Sequence, residues 1–105
     1  MTIYSNKLSV NVSGIRQVTF YFIDSTTNQQ VSSLGSICIE NSELQTNCFA
    51  GITSPFKTKL ADGVYYITAD FNGYVGTPGI QITVSSSSTV FYIKLTPETS
   101  GVLLW

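Results

Sequence analysis

The sequence predicts an all-β protein, a single antiparallel β-sandwich of seven or eight short strands with Greek-key-like connections. Three observations carry this. Tyr65, Ile67, Ala69 and Phe71 alternate with Val64, Tyr66, Thr68 and Asp70, the period-2 pattern of a strand with one buried face. Turn residues such as Asp62-Gly63, Asn72-Gly73, Pro55 and Pro97 punctuate the chain at the short intervals of a sandwich. No stretch of useful length repeats its apolar residues at helical spacing.

The elements follow in chain order. Lys7–Val12 is the first expected strand, with Leu8, Val10 and Val12 on one face and Gly14 breaking it. Val18–Asp24 sets Val18, Phe20 and Phe22 against Thr19, Tyr21 and Ile23, so cover is expected on both of its faces. Ser25–Ser33 is a polar connection. Ser36–Glu40 is a short strand, Asn41–Leu44 a turn and Gln45–Ala50 the hairpin partner. Pro55 lacks a ladder N–H and ends pairing there. Phe56–Leu60 leads through Asp62-Gly63 into the strand that ends at Phe71, because glycine accepts a positive φ without a Cβ clash. Gly79–Val84 places Ile80, Ile82 and Val84 on one face. Ser85–Ser88 reads as a flexible hairpin loop, and Val90–Leu95 points Phe91, Ile93 and Leu95 inward before Pro97 stops it. Residues 1–6 are an N-terminal arm, 7–96 the sandwich, and 97–105 an apolar C-terminal tail.

Two segments carry a resemblance. Val18–Ile39, VTFYFIDSTTNQQVSSLGSICI, is similar to the opening of carboxypeptidase-regulatory-like and collagen-adhesin B-type domains. Gly51–Leu95 contains G-x-T-S-P-F-x-x-x-L-x-x-G-x-Y-x-I-x-A-x-x-x-G-Y, which resembles the PEGA pattern. Both belong to the transthyretin-like sandwich group. The resemblance implies a seven-stranded, immunoglobulin-like Greek-key sandwich used as a spacer, adhesive or surface module, and it implies no chemistry. Collagen-adhesin B-type domains often join a first-strand lysine to a last-strand asparagine. Lys7 sits in a suitable strand, but Val90–Leu95 has no asparagine, so no such isopeptide is expected.

Composition narrows the function. With 105 residues the chain suits one domain with one core. Charged residues make up only 10 %, and Ser and Thr fill much of the gap, so hydroxyls keep the surface wet. Such surfaces fit extracellular, envelope or virion proteins. A net charge of −1 and scattered basic residues argue against a nucleic-acid partner. No apolar run is long enough for a membrane span. MTIYSNKLSV lacks the cationic and apolar regions of a signal peptide. Export is then expected through a signal already removed or by another route, such as a virus particle.

The candidate residues are few. Cys38 and Cys48 fall opposite each other if the hairpin turns near Glu43, close enough for a disulfide. The alternative is two buried thiols packing as small hydrophobes. The chain has no histidine, so no Ser-His or Cys-His pair exists, and a two-cysteine metal site has nothing to complete it. Neither metal nor cofactor is expected, and the acids read as solvated turn residues rather than a catalytic pair. Tyr21, Tyr66 and Tyr92 should face outward while Tyr65 packs inside; the outward stripe either binds a partner, a protein ahead of a glycan, or simply reflects the preference of tyrosine for strands. Val102, Leu103, Leu104 and Trp105 form an apolar end that must pack somewhere, either back over its own sandwich or, as is favoured, into a neighbouring subunit. Ile3 and Tyr4 could add a strand to a neighbour's edge. Asn11-Val12-Ser13 is a formal glycosylation sequon. The expectation is a structural, non-enzymatic assembly protein on a virion surface. A cell-surface adhesin or carbohydrate-binding module is the alternative.

Overall fold

A computed structural model describes residues 15–98. It contains β1 (Ile15–Asp24), β2 (Gly35–Asn41), β3 (Thr46–Ile52), β4 (Phe56–Ala61), β5 (Gly63–Phe71), β6 (Tyr74–Val75), β7 (Ile80–Val84) and β8 (Val90–Pro97). The strands form two four-stranded sheets, a front sheet ordered β4-β1-β8-β6 and a back sheet ordered β3-β2-β5-β7. The expected strand Lys7–Val12, Ile3, Tyr4, the sequon and the tail Val102–Trp105 lie outside the described residues.

The sandwich forms because alternation gives each sheet one apolar side. Val18, Phe20 and Phe22 of β1 and Ile93 and Leu95 of β8 point from the front sheet into the core. Ile37 and Ile39 of β2, Ile67, Ala69 and Phe71 of β5, and Ile82 and Val84 of β7 meet them from the back. The rings of Phe22 and Phe71 lie 4.6 Å apart and join the two layers. Burying one such ring stabilises the fold by roughly 1.5–3 kcal/mol. Tyr65 packs against this core and donates its hydroxyl hydrogen to the Ala61 carbonyl at 2.7 Å.

Several features depart from the expectation. The sandwich is mostly antiparallel, but β1 and β8 pair in parallel, with Thr19 beside Val90 and Asp24 beside Leu95. Parallel neighbours need a long crossover, and here the entire chain between them supplies it. Of the connections between successive strands, only β2–β3 is a hairpin within one sheet; every other one passes between sheets. Ser85–Ser88 is therefore not a hairpin loop. It closes on itself through reciprocal backbone hydrogen bonds of 3.2 and 3.1 Å and carries the chain from β7 at the back to β8 at the front.

The polar connection after β1 hides a core residue. Val31 is buried, and its N–H donates to the Phe22 carbonyl at 2.8 Å. β6 is an unforeseen two-residue strand that pairs with Thr96 and Pro97. β1 begins three residues earlier than expected, at Ile15, because β4 continues to pair with it as far as Ala61. Where β7 stops pairing with β5, Thr77 takes over: its Oγ1 accepts from the Ala69 N–H at 2.9 Å.

Candidate functional site

The hairpin turn positions the cysteines. Asn41 Oδ1 accepts from the N–H groups of Glu43 and Gln45 at 2.9 and 3.0 Å, and Leu44 takes a positive φ of 66°. This fixes a register in which Cys38 sits opposite Cys48. The two are joined by a disulfide, with Cα atoms 4.1 Å apart. Ile37 and Ile39 point inward, so the disulfide lies on the outer surface of the back sheet, and the alternative of two buried thiols falls. A disulfide suggests an oxidising, extracellular-type environment. Among the described residues no helix is long and apolar enough to cross a membrane.

The outward tyrosines do not form one stripe. Tyr21 and Tyr92 are register partners on the front sheet, and their rings stack with centroids 5.1 Å apart. Tyr66 faces outward from β5, on the back sheet. Alternation places all three away from the core, but a sandwich has two outsides.

The two outer faces differ in charge. On the front, Lys57 and Lys59 of β4 and Lys94 of β8 face solvent around the tyrosine pair. Val90 and Ile23 continue an apolar strip along the same face, with Val90 50 % and Tyr92 62 % exposed. On the back, the outward positions include Glu40 of β2 and Asp70 of β5, and the strands of that sheet carry no lysine or arginine. Open hollows flank Asp70 on both sides, one lined by Ser36, Gly51 and Asn72 and the other by Cys38, Thr68 and Thr77.

Asp24 and Asp62 are tied into the scaffold. Asp24 Oδ1 accepts from Thr26 Oγ1 at 2.6 Å and from the N–H groups of Thr26 and Thr27 at 2.8 and 3.1 Å. Asp24 Oδ2 accepts from the Tyr74 hydroxyl at 2.7 Å, which anchors β6 to the end of β1. The Thr26 hydroxyl first, then Tyr74, hold the Asp24 carboxyl down from 3.8 to about 2. The same bond pushes the Tyr74 hydroxyl up. Arg16 Nε and Nη2 donate to the two Asp62 oxygens at 2.8 and 3.2 Å, which lowers the Asp62 pKa and raises that of Arg16. Glu40 and Asp70 sit four rungs apart on neighbouring strands, about 14 Å by strand geometry. That exceeds the roughly 5–9.5 Å over which carboxyl pairs act on glycosides.

The Asp24 cluster predicts a pH response. Its folded pKa lies below the unfolded value, so it stabilises the fold above about pH 4, and that contribution fades as the pH falls through about 2. The Tyr74 side is intact below its usual value of 10 and is lost as the pH rises through the raised folded one. Carboxyl NMR titration of Asp24 should give a midpoint near 2. Thr26→Val should raise that midpoint more than Tyr74→Phe does. A normal midpoint in the intact chain would disprove the network.

No protein-family model matches the chain, and no curated protein matches it. What stands is an all-β sandwich of eight strands in two four-stranded sheets, with no family assignment.

Proposed function

We propose that the chain is a structural, non-enzymatic module that assembles on an exposed surface as a component of a virus particle: capsid decoration, turret, spike or tail. The observation that carries this reading is the outer face of the front sheet. Its two central strands turn Tyr21, Tyr92, Val90 and Ile23 toward solvent in one contiguous strip. Apolar area left in water costs about 25 cal/mol per Å², and contiguous patches of it mark contact surfaces. The outward disulfide and the low charge content fit a life outside the reducing cytosol. The likeness to transthyretin-like domains, as spacers and adhesive modules, supports a scaffold role. In this reading Ile3-Tyr4 and Val102–Trp105 are fasteners to neighbouring subunits.

Deleting residues 101–105 tests the fastening. The shortened chain should keep its β-sheet circular dichroism yet vanish from particles recovered from producing cells. Unchanged incorporation would defeat the idea.

A second reading, an adhesin or carbohydrate-binding module, is favoured by the stacked Tyr21–Tyr92 pair, since paired rings suit the apolar face of a sugar. On a glycan array, selective binding lost in Tyr92→Ala and kept in Tyr66→Ala would establish it.

A further inference from the structure

The two outer faces of the sandwich complement each other. On the front, Lys57 lies in the rung of Thr19 and Val90, Tyr21 and Tyr92 share the rung two residues on, and Lys94 lies two residues beyond that. The tyrosine stack therefore sits midway along a line that runs from Lys57 to Lys94. On the back, Glu40 lies in the rung of Tyr66, Cys38 shares its rung with Thr68 and Cys48, and Asp70 lies in the rung of Ser36. Along the strand direction the disulfide is thus set halfway between Glu40 and Asp70, and across the sheet it lies one strand to the β3 side of the line that joins them.

The spacings agree as well. Lys57 and Lys94 are separated by two strand widths and four residues, about 16 Å, and Glu40 and Asp70 by one width and four residues, about 14 Å. Lysine stems are long enough to absorb the difference. Among the described residues the one carboxylate–cation pair is Arg16–Asp62, and there Lys57, Lys59 and Lys94 hold no carboxylate.

We infer that copies of this chain stack face to back, the front sheet of one on the back sheet of the next. Lys57 and Lys94 reach Glu40 and Asp70 of the next copy, and the Tyr21–Tyr92 rings lie over its Cys38–Cys48 disulfide, where sulfur meets aromatic rings favourably. The inference rests on reading the front face as an assembly surface. Front on front would set lysine against lysine, and back on back acid against acid, so the contact joins unlike faces. Such a contact does not close as a two-fold pair; it repeats into a column or, with rotation, a ring.

The area says how strong one contact is. Four strands at about 4.8 Å and six residues at about 3.3 Å give a face of roughly 400 Å² per copy, some 800 Å² for the pair. Stable complexes bury about 1,200 Å² or more. One contact is weak, and stacking depends on repetition or on high local concentration.

Light scattering and zero-length carbodiimide cross-linking of the full chain test this. At millimolar protein and low salt, the wild type should show at least twice the 11.4 kDa of one chain, and fall back to it near 1 M salt, where the screening length is about 3 Å. Carbodiimide, which joins an amine to a carboxyl, should link Lys57 or Lys94 of one copy to Glu40 or Asp70 of another. K57E with K94E should stay monomeric, as should E40K with D70K. Carrying all four changes in one chain should restore association. Monomeric wild type without such cross-links, or association that grows with salt, overturns the inference. So does a front face that captures heparin while the chain stays single, since a polyanion would then be its occupant. If the four-change chain does not fold, the wild-type cross-links decide. A chain that stays single yet joins particles sinks the stacking and leaves the assembly role; columns formed by a chain absent from any particle do the reverse.

Discussion

Replacing Gly35 by alanine is expected to destabilise the protein by about 3 kcal/mol, the upper end for forcing one carbon into a packed core. Gly35 pairs across from Phe71, and a Cβ on Gly35 would overlap the Phe71 ring itself. That ring has nowhere to go. Phe71 is 1 % exposed and packs against Phe22 at 4.6 Å. Gly35 does not require the left-handed region, so the effect is steric and not conformational. For a domain of this size the melting temperature should fall by roughly 12–24 °C. A smaller partner should relieve the clash: Gly35→Ala with Phe71→Leu should be more stable than the sum of the single changes implies. A Gly35→Ala protein within about 0.5 kcal/mol of the parent by urea denaturation would show that the sheets separate more easily than this packing suggests.

Removing the disulfide ranks next. Cys38 and Cys48 are ten residues apart, and closing a loop of that size stabilises by about 2.5–3 kcal/mol in the chain-entropy account. Both side chains face outward, so Cys38→Ala with Cys48→Ala opens no internal cavity. Reduced wild type and the double alanine variant should therefore melt together, roughly 10–20 °C below the oxidised protein. The loss should concentrate in β3, an edge strand whose residues are mostly exposed. Its amides should exchange fastest once the bond is gone, while β2 stays protected between β3 and β5. Equal melting of oxidised and reduced protein would mean that the β2–β3 register needs no covalent help.

How much of this was legible in the sequence follows from what alternation encodes. Tyr65, Ile67, Ala69 and Phe71 announced both a strand and its inward side, and the structure buries the last three and half-buries Tyr65. The turn near Glu43 set the cysteine register, because Asn41 can organise a short loop from its own side chain. Parity, however, is a local property. It says that Tyr21, Tyr66 and Tyr92 point away from the core and not which sheet each belongs to, so the expected stripe divided between two faces. Sheet membership is decided by long-range pairing, and the parallel union of β1 with β8 leaves no trace in either strand's own pattern. β6 escaped notice because two residues have no period. Val31 escaped because a lone apolar side chain among polar neighbours resembles loop composition until the chain around it closes. The opposed face charges were equally hidden, since Lys57 and Lys94, or Glu40 and Asp70, come to share a face only through the ladders.

The parallel union of β1 and β8 also bears on mechanics. Because these strands run in the same direction, β1 begins at one pole of the sandwich and β8 finishes at the other. Tension applied through the two ends drags them in opposite senses along their shared seam. Every rung from Thr19–Val90 to Asp24–Leu95 is then loaded at once, in shear, instead of opening in turn like a zip. A protein wired this way should resist stretching far better than its modest size suggests, a useful trait wherever a chain is tugged from both sides.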